Sequence, residues 1–131
     1  MAAIGAVVQA MQDGKKIRIT VLEKMEKAGR KIAITGKGRC NFTNMKNWND
    51  FSAHVHPKPT LLKSAFYNLP PDKLLGFFES EGMPAVVERG DRAFPASHRS
   101  WDVVDTLVNK AVRSGVEIHY NTEVSEISYH E

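Results

Sequence analysis

Between Gly29 and Asn44 the chain reads GRKIAITGKGRCNFTN, setting three glycines, four basic residues, one cysteine and two asparagines around a short apolar run. Those residue types suit contact with a ligand. Gly29, Gly36 and Gly38 let the main chain approach a flat or anionic group closely and permit positive φ. Arg30, Lys31, Lys37 and Arg39 offer charge to phosphate, and the two arginines can do so with two parallel hydrogen bonds. Asn41, Thr43 and Asn44 add the side-chain donors and acceptors that a ring system with carbonyls and ring nitrogens would need.

Just upstream stands Glu23, at the end of a run that reads as a β-strand and follows a helical pattern. A helix, a strand and a strand-end acid make up the second half of a dinucleotide-binding βαβ unit. There the carboxylate accepts hydrogen bonds from ribose hydroxyls. The sequence does not contain the G-x-G-x-x-G turn that holds the pyrophosphate on helix N-terminal amides. A phosphate-binding P-loop is excluded on spacing. Lys31 stands five residues before Gly36 where that motif needs glycine, and Gly38 follows Lys37 where it needs Ser or Thr. On the residues alone, a ligand-contacting loop and a plain glycine-rich turn are equally supported.

Other candidates weigh less. Cys40 could be a redox thiol, but no neighbour forms an activating pair, and a small buried residue is the better expectation. His54 and His56 lack further ligands at suitable spacing, so no metal site is expected. His98 and Arg99 either face a substrate or merely precede a helix. Trp48, Phe51, Phe66 and Tyr67 lie among lysines, a pattern that single-stranded nucleic acid can use through stacking and charge. Their spacing fits packing better, and a nucleic-acid partner is disfavoured.

The elements that must carry these residues follow from periodicity. AAIGAVVQAMQDG sets Ile4, Val7, Val8 and Met11 at helical spacing with Gly14 as its stop. KIRITVLEK alternates Ile17, Ile19 and Val21 with polar residues and predicts a strand ending near Glu23. The stretch from Met45 to Thr60 reads as an irregular polar loop. LLKSAFYNL predicts a short helix stopped by Pro70, and PDKLLGFFESEG a second, from Pro71 to Gly82, turning Leu74, Leu75, Phe77 and Phe78 inward. PAVVERGDRAFPAS predicts a hairpin around Gly90-Asp91. SWDVVDTLVNKAVRSG predicts a helix with Val103, Val104, Leu107, Val108, Ala111 and Val112 on one face. VEIHY and EVSEISY predict two strands joined at Asn121-Thr122.

The 131 residues suit one modest domain. With 42% hydrophobic and 25% charged residues the composition is that of an ordinary globular protein. A net charge of +3, with Lys and Arg scattered, suits an anionic partner only weakly. One cysteine excludes an internal disulfide, and no apolar run is long enough to span a membrane. The expected location is the cytoplasm.

The motif VLEK…GRKIAITGKGRCNFTN closely resembles the signature of the BaiN-like FAD-dependent oxidoreductases, also described as NAD(FAD)-utilizing dehydrogenases or aminoacetone oxidase-like flavoproteins. The match includes Leu22, Glu23, Lys24, Gly29, Arg30, Lys31, Thr35, Gly36, Gly38, Arg39, Cys40, Asn41, Thr43 and Asn44. FFESEGMP, GDRAFPASHRSWDVVDTL and GVEIHYNTEVSEI resemble later segments of the family, so the likeness covers nearly the whole chain. It implies an α/β, Rossmann-like FAD-binding domain of the glutathione-reductase type, present in part over residues 1–131 and truncated at both ends.

The resemblance also implies roles. Glu23, followed by Lys24, would hold the adenosine ribose; Arg30 and Lys31 would lie near the phosphates. Gly36, Gly38, Arg39, Cys40 and Asn41 would line the flavin side, and the main chain of Val124 would contact adenine. FAD is the implied cofactor, NAD(P)H the implied electron donor of the intact enzyme, and a small molecule the implied substrate. No catalytic residue is identified. Truncation is expected to impair activity and to leave a sheet edge open to self-association. The alternative is a non-catalytic α/β interaction module or remnant that no longer binds cofactor.

Overall fold

A computed structural model describes residues 1–129. They divide into two compact units, one formed by Met1–Arg30 with the chain from Val104 onward, the other by Lys31–Val103.

The first unit opens with α1 (Ala2–Gln12), whose buried residues Ile4, Val7 and Ala10 recur every three positions and mark one helical face. The helix stops as its sequence predicts. Gly14 N–H donates to Met11 O (3.2 Å) and Lys15 N–H to Ala10 O (2.8 Å), which satisfies carbonyls the ending helix would otherwise leave open. Strand β1 (Ile19–Leu22) half-buries Ile19 and Val21 and exposes Thr20 and Leu22. Ile17, expected in the strand, lies before it and is half exposed. It has no partner residue in the ladder, which starts at Ile19.

Strand β5 (Val116–His119) lies parallel to β1, with Ile19 opposite Val116 and Leu22 opposite His119. A parallel pair needs a long crossover, and α1 packs against both strands. The second strand expected after Asn121-Thr122 does not form. Residues 123–129 have no regular structure, and Ile127 and Tyr129 stand almost fully exposed. Alternation there, with neither a buried face nor a neighbouring ladder, has nothing to stabilise it.

The second unit holds a three-stranded antiparallel sheet in the order β2-β4-β3, from β2 (Thr43–Asn44), β3 (Ala85–Glu88) and β4 (Arg92–Pro95). The expected hairpin is present, with Glu88 opposite Arg92 and Gly90 and Asp91 at positive φ. Strand β2 falls inside the glycine- and asparagine-rich stretch, where no strand was predicted. It is two residues long, and β4 supplies its partners. Helix α5 (Pro71–Ser80) has Pro at its first position and buries Phe78, whose ring lies 4.7 Å from that of Phe42. Before it come α4 (Lys63–Asn68) and a single 3₁₀ turn, Pro59–Leu62.

The polar loop predicted from Met45 contains a further short helix, α3 (Trp48–Ser52). Its cap is Asn47, whose Oδ1 accepts the Asp50 N–H (3.0 Å) while its Nδ2 donates to Asp50 Oδ2 (2.9 Å). Such a cap needs only an Asn and an Asp three residues apart and no apolar periodicity.

The division between units falls at the start of α2 (Arg30–Ala33) and within α6 (Ser100–Arg113). Along α6, Val103, Val104 and Ala111 are buried and Leu107 and Val108 partly so. Val112, assigned to that face by spacing, is more than half exposed because it lies beyond the edge of the buried arc. No helix of the described residues is long and apolar enough to cross a membrane.

Gly29 is where a side chain is least tolerable. Its φ is +76°, and a Cβ there would stand 2.7 Å and 2.8 Å from the two γ-methyls of buried Val104. A β-branched core residue cannot rotate out of the way. Gly29→Ala should therefore destabilise the chain by on the order of 2 kcal/mol, read from urea unfolding. An unchanged midpoint would show that α6 does not press on Gly29.

Candidate functional site

The candidate residues fall into two groups, one in each unit. In the first, Glu23 follows directly on β1 and belongs to the carboxyl ends of a parallel strand pair. In open α/β sheets that edge receives ligands. The main chain locks it there. Glu23 N–H donates to His119 O (2.9 Å), Thr122 N–H to Glu23 O (2.9 Å) and Asn121 N–H to Met25 O (3.1 Å). The segment after β1 is thereby bonded to the one after β5, which leads to Val124.

Glu23 Oε1 accepts the Met25 N–H (2.8 Å), while no bond to Oε2 is found among the described residues. Lys24 Nζ is ion-paired with Glu123 Oε1, so its charge is already matched. Val124 is half exposed and outside any strand. The geometry thus places Glu23 and Lys24 at one sheet edge, with Val124 next in the chain to Glu123, the ion-pair partner of Lys24.

In the second unit the glycine-rich stretch has a definite shape. After α2 the chain turns through a 3₁₀ segment, Thr35–Gly38, in which Gly36 (φ 56°) and Lys37 (φ 56°) both adopt left-handed backbone. Glycine at position 36 suits a tight fold, for a Cβ would meet Asn41 N at 3.2 Å. Nothing lies within 4 Å of a Cβ at Gly38. Cys40 follows at φ 55° with only 4% of its surface exposed, a free but buried thiol.

The asparagines of this stretch bond to their own fold. Asn41, with its amide nitrogen facing two carbonyls, donates to Thr43 O (2.7 Å) and Ala93 O (3.1 Å). Asn44 Nδ2 donates to Gly90 O (2.9 Å), and its Oδ1 accepts the Lys46 N–H (3.0 Å). These bonds fasten the loop to the β3–β4 hairpin.

The cations separate into two kinds. Arg39 Nη2 donates to Glu88 Oε2 (2.8 Å), and its guanidinium lies 4.2 Å from the centre of the Phe94 ring. A charge held by a carboxylate and an aromatic face is a structural clamp before it is a ligand contact. Arg30, Lys31 and Lys37 are exposed and make no ion pair among the described residues. They are the cations free to meet an anion.

The Arg39 hydrogen bond holds the Glu88 carboxyl below its ordinary value of 4.5. Desolvation opposes this shift, while the positive charges of Arg39, His98 and Arg92 reinforce it. No local sequence signal marks Glu88. It lies forty-nine residues from Arg39, and only the hairpin brings the two together.

A family model described as the HI0933-like protein Rossmann domain matches residues 1–131. The chain belongs to that family. This is the family of BaiN-like oxidoreductases that the signature resembles, and the mixed α/β architecture with its parallel strand pair agrees with a partial Rossmann-like fold.

Two curated proteins illustrate the relationship. The chain is 29% identical over 124 residues to a 3-dehydro-bile acid delta(4,6)-reductase of Clostridium scindens, covering 95% of this chain and 29% of that protein. It is 25% identical over 126 residues to a ribosomal RNA dihydrouridine synthase of Escherichia coli, covering 96% of this chain and 31% of that protein. The chain thus spans less than a third of the length of these relatives.

The Glu88 environment sets a pH test. A folded-state pKa below the unfolded one contributes stability that is fully present above the unfolded value and disappears as pH falls through the folded one. In a carbon-detected NMR titration the Glu88 carboxyl should have its midpoint below 4.5. Arg39→Met should raise that midpoint toward 4.5 and shrink the part of the stability that is lost on acidification. A midpoint unaffected by the substitution would contradict the clamp.

Proposed function

We propose that this chain is the FAD-binding segment of a flavin-dependent oxidoreductase. The observation that carries the proposal is Glu23 at the carboxyl edge of the β1/β5 pair, hydrogen-bonded through its main chain to the segment leading to Val124.

The residues present fit the cofactor's chemistry. The Glu23 carboxylate has one oxygen committed to its own loop and one available for a ribose hydroxyl. The main chain at Val124 would meet adenine, and Lys24, already neutralised by Glu123, would hold that edge in shape. Arg30 and Lys31, exposed and without an ion pair among the described residues, would neutralise the diphosphate. Gly36, Gly38, Arg39, Cys40 and Asn41 would form the flavin side. Arg39 and Asn41 would act there chiefly by fixing the loop, since Glu88 and two carbonyls already engage them. Bound FAD would supply the electron-transfer chemistry, and the protein the binding, orientation and electrostatics.

NAD(P)H would be the electron donor, and the reaction would take place on a small-molecule substrate in the cytoplasm. Self-association through the free edge of β1 belongs to the same proposal. One relative is named for a bile acid and the other for ribosomal RNA, so the family name alone does not select a substrate class.

The experiment is a titration of the purified chain with FAD, followed by flavin absorbance and fluorescence. Saturable uptake is expected, weakened about tenfold by Glu23→Gln, which removes the charged acceptor and keeps the shape. Binding that is indifferent to Glu23→Gln would remove the ribose role. A colourless chain that takes up no FAD would favour the non-catalytic interaction module.

A further inference from the structure

A second concave surface lies in the unit formed by Lys31–Val103 and uses none of the residues assigned above to the cofactor. It is an open groove of about 460 Å³ lined by residues of α3, α4 and the start of α5. That volume falls within the range of small-molecule pockets. We propose that this groove binds a flat aromatic cation of pyridinium type.

Its walls are aromatic. The Trp48 indole lies 5.4 Å from the Phe66 ring and 6.0 Å from the Tyr67 ring, and all three line the groove. Pro70 and Pro71 close the far side with stiff apolar surface. Ring faces carry partial negative charge, so such walls select planar and cationic guests.

The charges of the lining point the same way. Lys46 is matched by Asp91, with Nζ 3.1 Å from Oδ2. Asn47 has its oxygen and its nitrogen committed to the α3 cap. That leaves Asp72, in the first turn of α5, as the lining charge with no ion pair or side-chain hydrogen bond among the described residues. An anion would meet Asp72 as a like charge. A neutral apolar chain would desolvate that carboxylate without compensation. A flat cation satisfies both the carboxylate and the rings.

The test follows the Trp48 indole Nε1–H resonance of the full chain on titration with 1-methylnicotinamide and, separately, with uncharged nicotinamide. A saturable shift is expected, with the cation binding about tenfold more tightly than the neutral ring. Asp72→Asn should abolish that preference, and Tyr67→Leu should weaken both probes. The exposed positions of Asp72 and Tyr67 favour folding of both variants, which circular dichroism checks. If only one variant folds, its titration alone decides. The proposal is overturned if the resonance does not move saturably or if both probes bind equally. It is also overturned if the preference survives Asp72→Asn or neither probe is weakened by Tyr67→Leu.

Discussion

The ladder between β1 and β5 is the constraint from which the chemistry of the first unit follows. It aligns Ile19 with Val116 and Leu22 with His119, so both strands reach their carboxyl ends at the same level. The next bonds, Glu23 N–H to His119 O and Thr122 N–H to Glu23 O, extend the ladder past the strands. A slip of one residue would send every side chain of β1 to the opposite face and carry Glu23 with it. Burial guards against that slip. Ile19 and Val21 are half-buried while Thr20 and Leu22 are exposed, and Val116 is nearly fully buried on the partner strand.

In the second unit, attachment to the hairpin plays the equivalent part. The stretch from Gly36 to Asn44 has left-handed turns, one buried cysteine and the Phe42 ring 4.7 Å from that of Phe78. Hydrogen bonds from Asn41 and Asn44 to hairpin carbonyls, together with the Arg39–Glu88 pair, supply the order. Arg39 stays in place because a charge with a matched partner and an aromatic face loses little by being fixed. Lys31 and Lys37 have no such partners among the described residues and remain available to an anion. Two kinds of cation, one structural and one free, thus coexist within ten residues of sequence.

Much of this was legible in the chain because local signals agreed with one another. Helices α1, α5 and α6 combined apolar periodicity with a glycine just beyond the end, and the Gly90-Asp91 turn announced its hairpin. The signature around Glu23 and Arg39 named the family. The misses have physical causes. Helix α3 rests on a single capping exchange between Asn47 and Asp50, and β2 is two residues long and exists through its partner. The alternation in EVSEISY suggested a strand, yet pairing is a property of neighbours and not of the segment itself. The Arg39–Glu88 pair was invisible for the same reason, since nothing local links positions 39 and 88.

Hydrogen–deuterium exchange with and without FAD tests the central claim most directly, because it reports where a ligand touches the chain without altering any residue. Added FAD should slow exchange at the amides from Glu23 to Met25 and from Tyr120 to Val124, the two segments at the carboxyl edge of the parallel pair. Unchanged exchange at both segments while FAD is bound would contradict the assignment of that edge.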